Sequence, residues 1–303
     1  MLSKTAQFYL GTAFTTSPFK GNPAAVLFLD TLESISIETL GEYAKNFNQP
    51  MLSVVSPSSL PSDRKKTLLR SVRFFAPNGK PVPICGHGLL VASKLVFSLP
   101  EAVACGIDTI RFENGHGQIL SAFKHDDGSV AIEIPATIPG IVSDEHKERI
   151  KEAVYKSFGR EVKIDDIVNG GEVYGQYVLV KLHENEDLAG SSVNAKELIS
   201  TGFSVNVFTT KSPTSDQLFV SRMFSPSMLP EPYEDHVCGS AHGVLAPYWS
   251  SKLPIKPGEQ FKAKMVSHRS GDLNLTYMKA EGILKLSGDV TIFASGTVPL
   301  ATL

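Results

Sequence analysis

The feature that most constrains this chain is a pattern it carries twice. Residues 73–77 read Arg-Phe-Phe-Ala-Pro and residues 222–226 read Arg-Met-Phe-Ser-Pro, both of the form R-x-F-[AS]-P. Their offset, 222 − 73 = 149, is close to half of the 303 residues. Each copy leads through a loop to a Cys-Gly step, Pro83-Ile84-Cys85-Gly86-His87-Gly88 in the first and His236-Val237-Cys238-Gly239-Ser240-Ala241 in the second. Each step then opens a short, mostly apolar, helix-like run. A unit of strand, Pro turn, loop, Cys-Gly and helix, repeated half a chain apart, implies two lobes of one design related by a pseudo-twofold axis.

The repeated element has specific chemistry. Glycine after the cysteine lets a ligand approach the backbone. The start of the following helix offers unpaired N–H groups and a partial positive charge, a ready anion site. A thiol placed there titrates nearer neutrality and can exchange protons. Two such elements facing each other would set two proton-transfer groups across one cleft, with the helix ends holding a carboxylate or an enolate-like intermediate. That arrangement suits moving a proton at a carbon next to a carbonyl, with no cofactor. The plainer alternative is that Cys85 and Cys238 are small buried hydrophobes, as free cysteines commonly are. Cys105 has no partner motif.

Strand-like runs dominate the remainder. They fall at 7–10, 24–29, 52–55, 71–75, 109–112, 130–134, 177–182, 219–224, 273–278, 282–287 and 290–294, short and bounded by Gly, Pro or Asp. Helical periodicity marks 36–47, with an apolar stripe at 37, 40, 43, 44 and 47 expected in the core. It also marks 144–158, with Asp144 as N-cap and Gly159 as stop, and more briefly 88–97, 194–200 and 242–249. Strands do not alternate with long helices, so a doubly wound parallel sheet is excluded in favour of α+β. The Pro-rich stretch from Ile134 to Gly140 is the best linker.

Composition removes several function classes. Twenty-nine basic against 31 acidic residues leave a net charge of −2, too weak a field for nucleic acid or an anionic membrane. The longest basic run is Arg64-Lys65-Lys66. Three cysteines argue against a disulfide framework and for a reducing compartment. Met1-Leu2-Ser3-Lys4 does not begin a signal peptide, no apolar run nears a membrane span, and Val298–Leu303 carries no address, so a cytoplasmic location is expected. Cys85 with His87, or Cys238 with His242, lacks the spacing of a zinc site, and no metal is expected. Asn114-Gly115-His116-Gly117 fits a hairpin turn better than a phosphate loop.

Taken in order, the motifs resemble those of the PhzF-like (phenazine-biosynthesis-like) family, within the diaminopimelate epimerase and proline racemase superfamily. Gly21-Asn22-Pro23-Ala24-Ala25-Val26 resembles the family's GNPxAV box. Phe75-Ala76-Pro77 followed by Cys85-Gly86-His87 resembles its F-T-P … G-H box. Phe224-Ser225-Pro226 followed by Glu234-Asp235-His236-Val237-Cys238-Gly239-Ser240-Ala241 resembles its F-A-P … E-D-P-V-x-G-S-A box, and Ser267-His268-Arg269-Ser270-Gly271 a late Gly-containing segment. The resemblance implies two similar lobes, each a strand half-barrel around a central helix, with the active site between them. It implies an N-terminal lobe over 1–124, rejoined by a C-terminal strand at about 290–303, a C-terminal lobe over 125–289, and a homodimer.

Two departures from the family pattern matter. The Glu that abstracts the proton in PhzF-type isomerases falls on Met51, in Asn48-Gln49-Pro50-Met51-Leu52-Ser53. A thioether cannot take a proton from carbon. The Pro after the family's Asp has become His236, a titratable group. Racemases and epimerases of the superfamily carry catalytic thiols in C-G-[HN]-G and C-G-[TS]-[GA] segments, and this chain matches both. The resemblance therefore implies Cys238 and Cys85, with Asp235 and His236 as substitutes for one of them, as proton-transfer groups. It places His87, Gly86, Gly239, Ser240, Asn22 and Met51 around a small-molecule substrate. The expected activity is a cofactor-independent isomerase or epimerase acting on a small carboxylate-bearing metabolite. An isomerase or cyclase of a specialised pathway using Asp235 and His236, and a binding protein that has lost catalysis, stand as alternatives. Arg73 and Arg222 are expected in structural ion pairs.

Overall fold

The computed structural model describes residues 4–58, 66–256 and 258–300. Met1–Ser3, Arg64 and Lys65 of the basic run, and residues 301–303 lie outside the described residues. In chain order the elements are β1 (Thr5–Ala13), β2 (Asn22–Phe28), α1 (Ile37–Phe47), β3 (Leu52–Pro57), β4 (Thr67–Phe75), β5 (Pro81–Val82), α2 (Gly86–Phe97), α3 (Pro100–Ala104), β6 (Thr109–Glu113), β7 (Ile119–Lys124) and β8 (Val130–Pro135). They continue with β9 (Gly140–Ile141), α4 (Asp144–Phe158), β10 (Ile164–Gly170), β11 (Tyr174–Leu182), β12 (Val205–Lys211), β13 (Phe219–Phe224), β14 (Glu234–Asp235), α5 (His242–Lys252), β15 (Gln260–Met265), β16 (Gly271–Met278), β17 (Ile283–Gly288) and β18 (Val290–Pro299). This is an α+β protein with two compact units, Met1–Glu133 with Ser287–Leu303, and Ile134–Leu286.

Each unit is wired the same way. In the first, β1 pairs antiparallel with β2 and β18, β2 runs parallel to β3, and β3 is antiparallel to β4. Strand β4 then takes β5 antiparallel and β6 parallel, and β6 turns back into β7. In the second, β10 pairs antiparallel with β11 and β9, β11 runs parallel to β12, and β12 is antiparallel to β13. Strand β13 takes β14 antiparallel and β15 parallel, and β15 turns back into β16. The sequence repeat sits at one register in both. Arg73 and Phe75 face Val54 and Leu52, and Arg222 and Phe224 face Phe208 and Asn206. The two motif phenylalanines are core residues, and the proline two positions on cannot donate to the ladder, so each strand ends there.

One helix is central to each unit. Helix α2 packs against β1, β2, β3, β7 and β18 and buries ten of its 12 residues. Helix α5 packs against β11 and β16 and buries eight of 11, with the Trp249 ring stacked 5.4 Å from Phe219. A helix apolar on nearly all sides has to be wrapped by other elements, which is what the strands do.

Peripheral elements correct several expectations. In α1, Leu40 and Ala44 are buried and Tyr43 and Phe47 pack partly on the core, but Ile37 is 53% exposed. As the first helical residue it lies ahead of the stripe's contact with the sheet. Helix α4 is capped by Ser143, not Asp144, because the Ser143 hydroxyl accepts the His146 N–H, leaving Asp144 in the first turn, where its charge suits the helix dipole. Residues 195–201 form a 3-10 helix rather than an α-helix. Asn114–Gly117 is the β6–β7 hairpin turn, with the Asn114 side chain accepting from His116 N and Gln118 N.

Candidate active site

In the first unit, Cys85 is the N-cap of α2. Its extended backbone (φ −144°) turns the chain into the helix, and its sulfur accepts the Gly88 N–H at 3.4 Å. A sulfur in the capping position faces the unpaired N–H groups of the first turn. His87, one residue into the helix and buried, brings Nδ1 within 3.3 Å of that sulfur and Nε2 within 3.7 Å. Asn22, the buried first residue of β2, sets its side-chain amide nitrogen 3.2 Å from His87 Nδ1. Gly21 makes that placement possible. Its φ is +69°, and a Cβ there would lie 2.2 Å from the Ala13 carbonyl oxygen.

Gly88 shows what surrounds the thiol. A Cβ on it would lie 2.8 Å from Ser53 Oγ, 3.0 Å from Met51 Cγ and 3.3 Å from Cys85 Sγ. Met51 is therefore a buried thioether lining the cluster beside Cys85. Gly86 opens the helix and is half-buried. Asn22, Met51, Cys85, Gly86 and His87 thus lie in one cluster, and Ser53 joins them.

In the second unit the geometry differs in one instructive respect. Cys238 does not cap α5. A tight turn intervenes, with His242 N–H bonded to the Gly239 carbonyl at 3.0 Å and Gly243 N–H to that of Ser240 at 3.0 Å. The Cys238 carbonyl, which would otherwise start the helical ladder, accepts from His242 Nδ1 at 2.8 Å. Burial holds the His242 imidazole neutral, with its pKa lowered to about 4. The buried Cys238 sulfur lies 3.3 Å from Ser240 Oγ, and its N–H is directed at Met265 Sδ, 2.9 Å away. Asp235 is not a helix cap either. It lies in β14 opposite Met223, and its carboxylate accepts the Val237 N–H at 3.1 Å, fixing the turn that leads to the thiol. His236 is half-buried, its carbonyl bonded by the Ser267 hydroxyl, and its pKa is lowered by burial first, then by Arg269 and His268. Gly239 is buried and Ser240 half-buried.

Two tyrosines absent from the sequence expectations complete this cluster. Tyr177 Oη is 2.9 Å from Ser240 Oγ. Tyr174 donates to the Pro135 carbonyl at 2.8 Å and meets Tyr177 edge to face at 5.1 Å between ring centroids. Burial, and then the charge of Cys238, pushes both phenols well above their usual range, so they stay protonated. A spacing of three puts residues on opposite faces of a regular strand. Here the β10–β11 ladder jumps from Asn169↔Val178 to Gly170↔Tyr174, and the irregularity brings the two rings together.

Other candidates fall outside these clusters. Cys105 is exposed at the end of α3 and His268 is exposed. Arg222 holds Glu234 through Nε at 2.6 Å and Nη2 at 3.0 Å, and donates to the Leu188 and Ser191 carbonyls, a structural role. Among the described residues no helix is long and apolar enough to cross a membrane.

A sequence profile of phenazine biosynthesis-like proteins matches residues 12–296. The chain belongs to that family. The phenazine biosynthesis-like domain-containing protein of Bos taurus is 26% identical over 302 residues, covering 96% of this chain and 98% of its own length. Proteins named uncharacterized isomerase, from Halalkalibacterium halodurans and Pseudomonas aeruginosa, are 27% and 28% identical over 96% and 95% of this chain, and 98% and 96% of their own. The crystal structure of a PhzF-family protein of Enterococcus faecalis superposes with a TM-score of 0.79 at 24% identity, covering 98% of this chain and 100% of that one. A hydroxyproline epimerase of Agrobacterium vitis shares the fold more distantly, with a TM-score of 0.52 at 12% identity over 99% of this chain and 94% of its own.

Proposed function

We propose that this member of the phenazine biosynthesis-like family is a cofactor-independent isomerase or epimerase that moves a proton at carbon on a small carboxylate-bearing metabolite. The observation that carries the reading is that both units present a buried thiol with a hydrogen-bonding partner ahead of the central helix, Cys85 with His87 and Cys238 with Ser240. In the proposed step a thiolate takes the proton from the carbon next to the carbonyl. The C–H electron pair moves into the carbonyl to give an enolate, and a thiol or imidazolium returns a proton to carbon, so nothing is oxidised or reduced. Met51 beside Cys85 is a thioether, which cannot take a proton from carbon, and this supports sulfur as the base in the first cluster. The two relatives named isomerase, each matching over nearly the full length, support the reaction class.

The experiment is incubation in deuterium oxide with a panel of amino acids, hydroxy acids and unsaturated carboxylic acids, read by mass spectrometry and NMR. Deuterium entering at the carbon next to the carboxylate of one compound, with inversion or a double-bond shift, is the expected result. Folded protein that exchanges none of them contradicts the reading.

A second reading rests on His236, whose pKa is lowered by burial first and then by Arg269 and His268, which favours the proton-accepting form. In it Asp235 and His236 carry the transfer in an isomerase or cyclase. Asp235→Asn abolishing turnover, while Cys85→Ser and Cys238→Ser both survive, would select it.

A further inference from the structure

We propose that Tyr177, acting through Ser240, is a positioning residue that holds Cys238 as a thiolate ready to receive a proton. The inference deepens the proposed function and rests on it for the meaning of the thiolate, but not for the measurement that tests it. Three atoms form the relay. Tyr177 Oη is 2.9 Å from Ser240 Oγ, and Ser240 Oγ is 3.3 Å from Cys238 Sγ.

The direction of the relay follows from what each group can do. A hydroxyl donates one hydrogen and accepts on its lone pairs. The phenol of Tyr177 stays protonated, first because it is buried and only then because of Cys238 nearby. Its hydrogen goes to Ser240 Oγ. Ser240 then has its own hydrogen left to give, and the sulfur is within reach. A hydrogen bond donated to sulfur favours the charged form over the neutral thiol. Tyr174, donating to the Pro135 carbonyl and lying edge to face with Tyr177, fixes the ring that starts the chain.

The other titratable groups around Cys238 are Asp235 and His236 on its own loop, Tyr174 on β11, His242 on α5 and, beside His236, His268 and Arg269. None of them is itself substituted in these variants, and Tyr177→Phe keeps the ring that meets Tyr174 edge to face, so the comparison is aimed at the two hydroxyls of the relay. In the first unit the sulfur of Cys85 meets an imidazole and a helix N–H.

The test titrates the thiolate ultraviolet absorbance of Cys238 in a Cys85→Ser/Cys105→Ser background, after subtraction of the matching Cys238→Ser protein. Tyr177→Phe is expected to raise the midpoint, and Ser240→Ala to raise it by about one pH unit or more, with Ser240→Thr keeping the original value. Circular dichroism checks that each variant is folded, and Ser240→Ala serves if Tyr177→Phe is not. Midpoints that stay the same in both variants overturn the relay, whatever the fate of the isomerase reading. Shifted midpoints in a protein that exchanges no substrate support the relay and count against the proposed reaction instead.

Discussion

His87 Nδ1 lies 3.3 Å from the sulfur of Cys85, and both side chains are buried at the first turn of α2. An imidazole in that place can take the thiol proton, hold it and return it, while Asn22 keeps the ring oriented. Removing it leaves the sulfur with only the Gly88 N–H among these contacts. His87→Ala is expected to lower kcat/KM for substrate exchange by about 10²–10⁴-fold, the usual weight of a positioned acid–base group. Initial-rate kinetics on folded variant check it, and a loss below tenfold would remove His87 from proton transfer.

Gly88 is a steric prediction. An added Cβ would press on Ser53, Met51 and Cys85 at 2.8, 3.0 and 3.3 Å. Gly88→Ala should destabilise the protein by about 1–3 kcal/mol through overpacking and displace the thiol. Denaturant unfolding gives the first quantity and Cys85 alkylation rate the second. A variant matching the wild type in both would show that this corner has slack.

His242 makes stability depend on pH. The folded protein holds it neutral down to about 4, whereas the unfolded chain protonates at its ordinary 6.5. Between those values the unfolded state binds the extra proton. The contribution is therefore complete above pH 6.5 and is lost as pH falls toward 4, by about 1.4 kcal/mol per unit and about 3 kcal/mol in all. His242→Gln keeps a donor for the Cys238 carbonyl but cannot titrate. Unfolding free energies measured from pH 7 to 4.5 should fall less steeply in the variant, by about one proton's worth. Equal slopes would place the acid sensitivity elsewhere.

Much of the second unit could be read from the first. The R-x-F-[AS]-P motif marked equivalent strands because a buried Phe, an inward Arg and a ladder-ending Pro leave a periodic trace that survives divergence. Strands β10, β12 and β15 left weaker traces. Asp, Asn, Thr and Lys interrupt them, and their place is set by pairing with distant partners rather than by local pattern. The two clusters were legible where motif residues carry them, as at Asn22, Cys85, His87 and Ser240. They were not legible at Tyr177, whose relevance depends on an irregular ladder, nor in the turn that separates Cys238 from α5. A Cys-Gly step looks alike in sequence whether or not its cysteine caps the helix.

Arg222 tests the boundary between structure and chemistry. Its guanidinium is buried with Glu234 and two carbonyls and lies 4.9 Å from the Phe224 ring. Arg222→Ala should cost about 3–5 kcal/mol by stranding the Glu234 carboxylate, and Arg222→Lys should recover little of it, since an ammonium cannot reproduce the fork. Thermal unfolding measures the loss. Activity per folded molecule is expected to stay within a few-fold of wild type, and a large drop would move Arg222 into the catalytic machinery.

The most direct test is solvent-deuterium exchange into the substrate by wild type, Cys85→Ser and Cys238→Ser, each at matched folded concentration. Proton transfer by sulfur predicts that each single substitution lowers exchange by at least about 10²-fold, with the fold unchanged by circular dichroism. Full exchange by both serine variants would contradict it and leave the thiols as packing atoms.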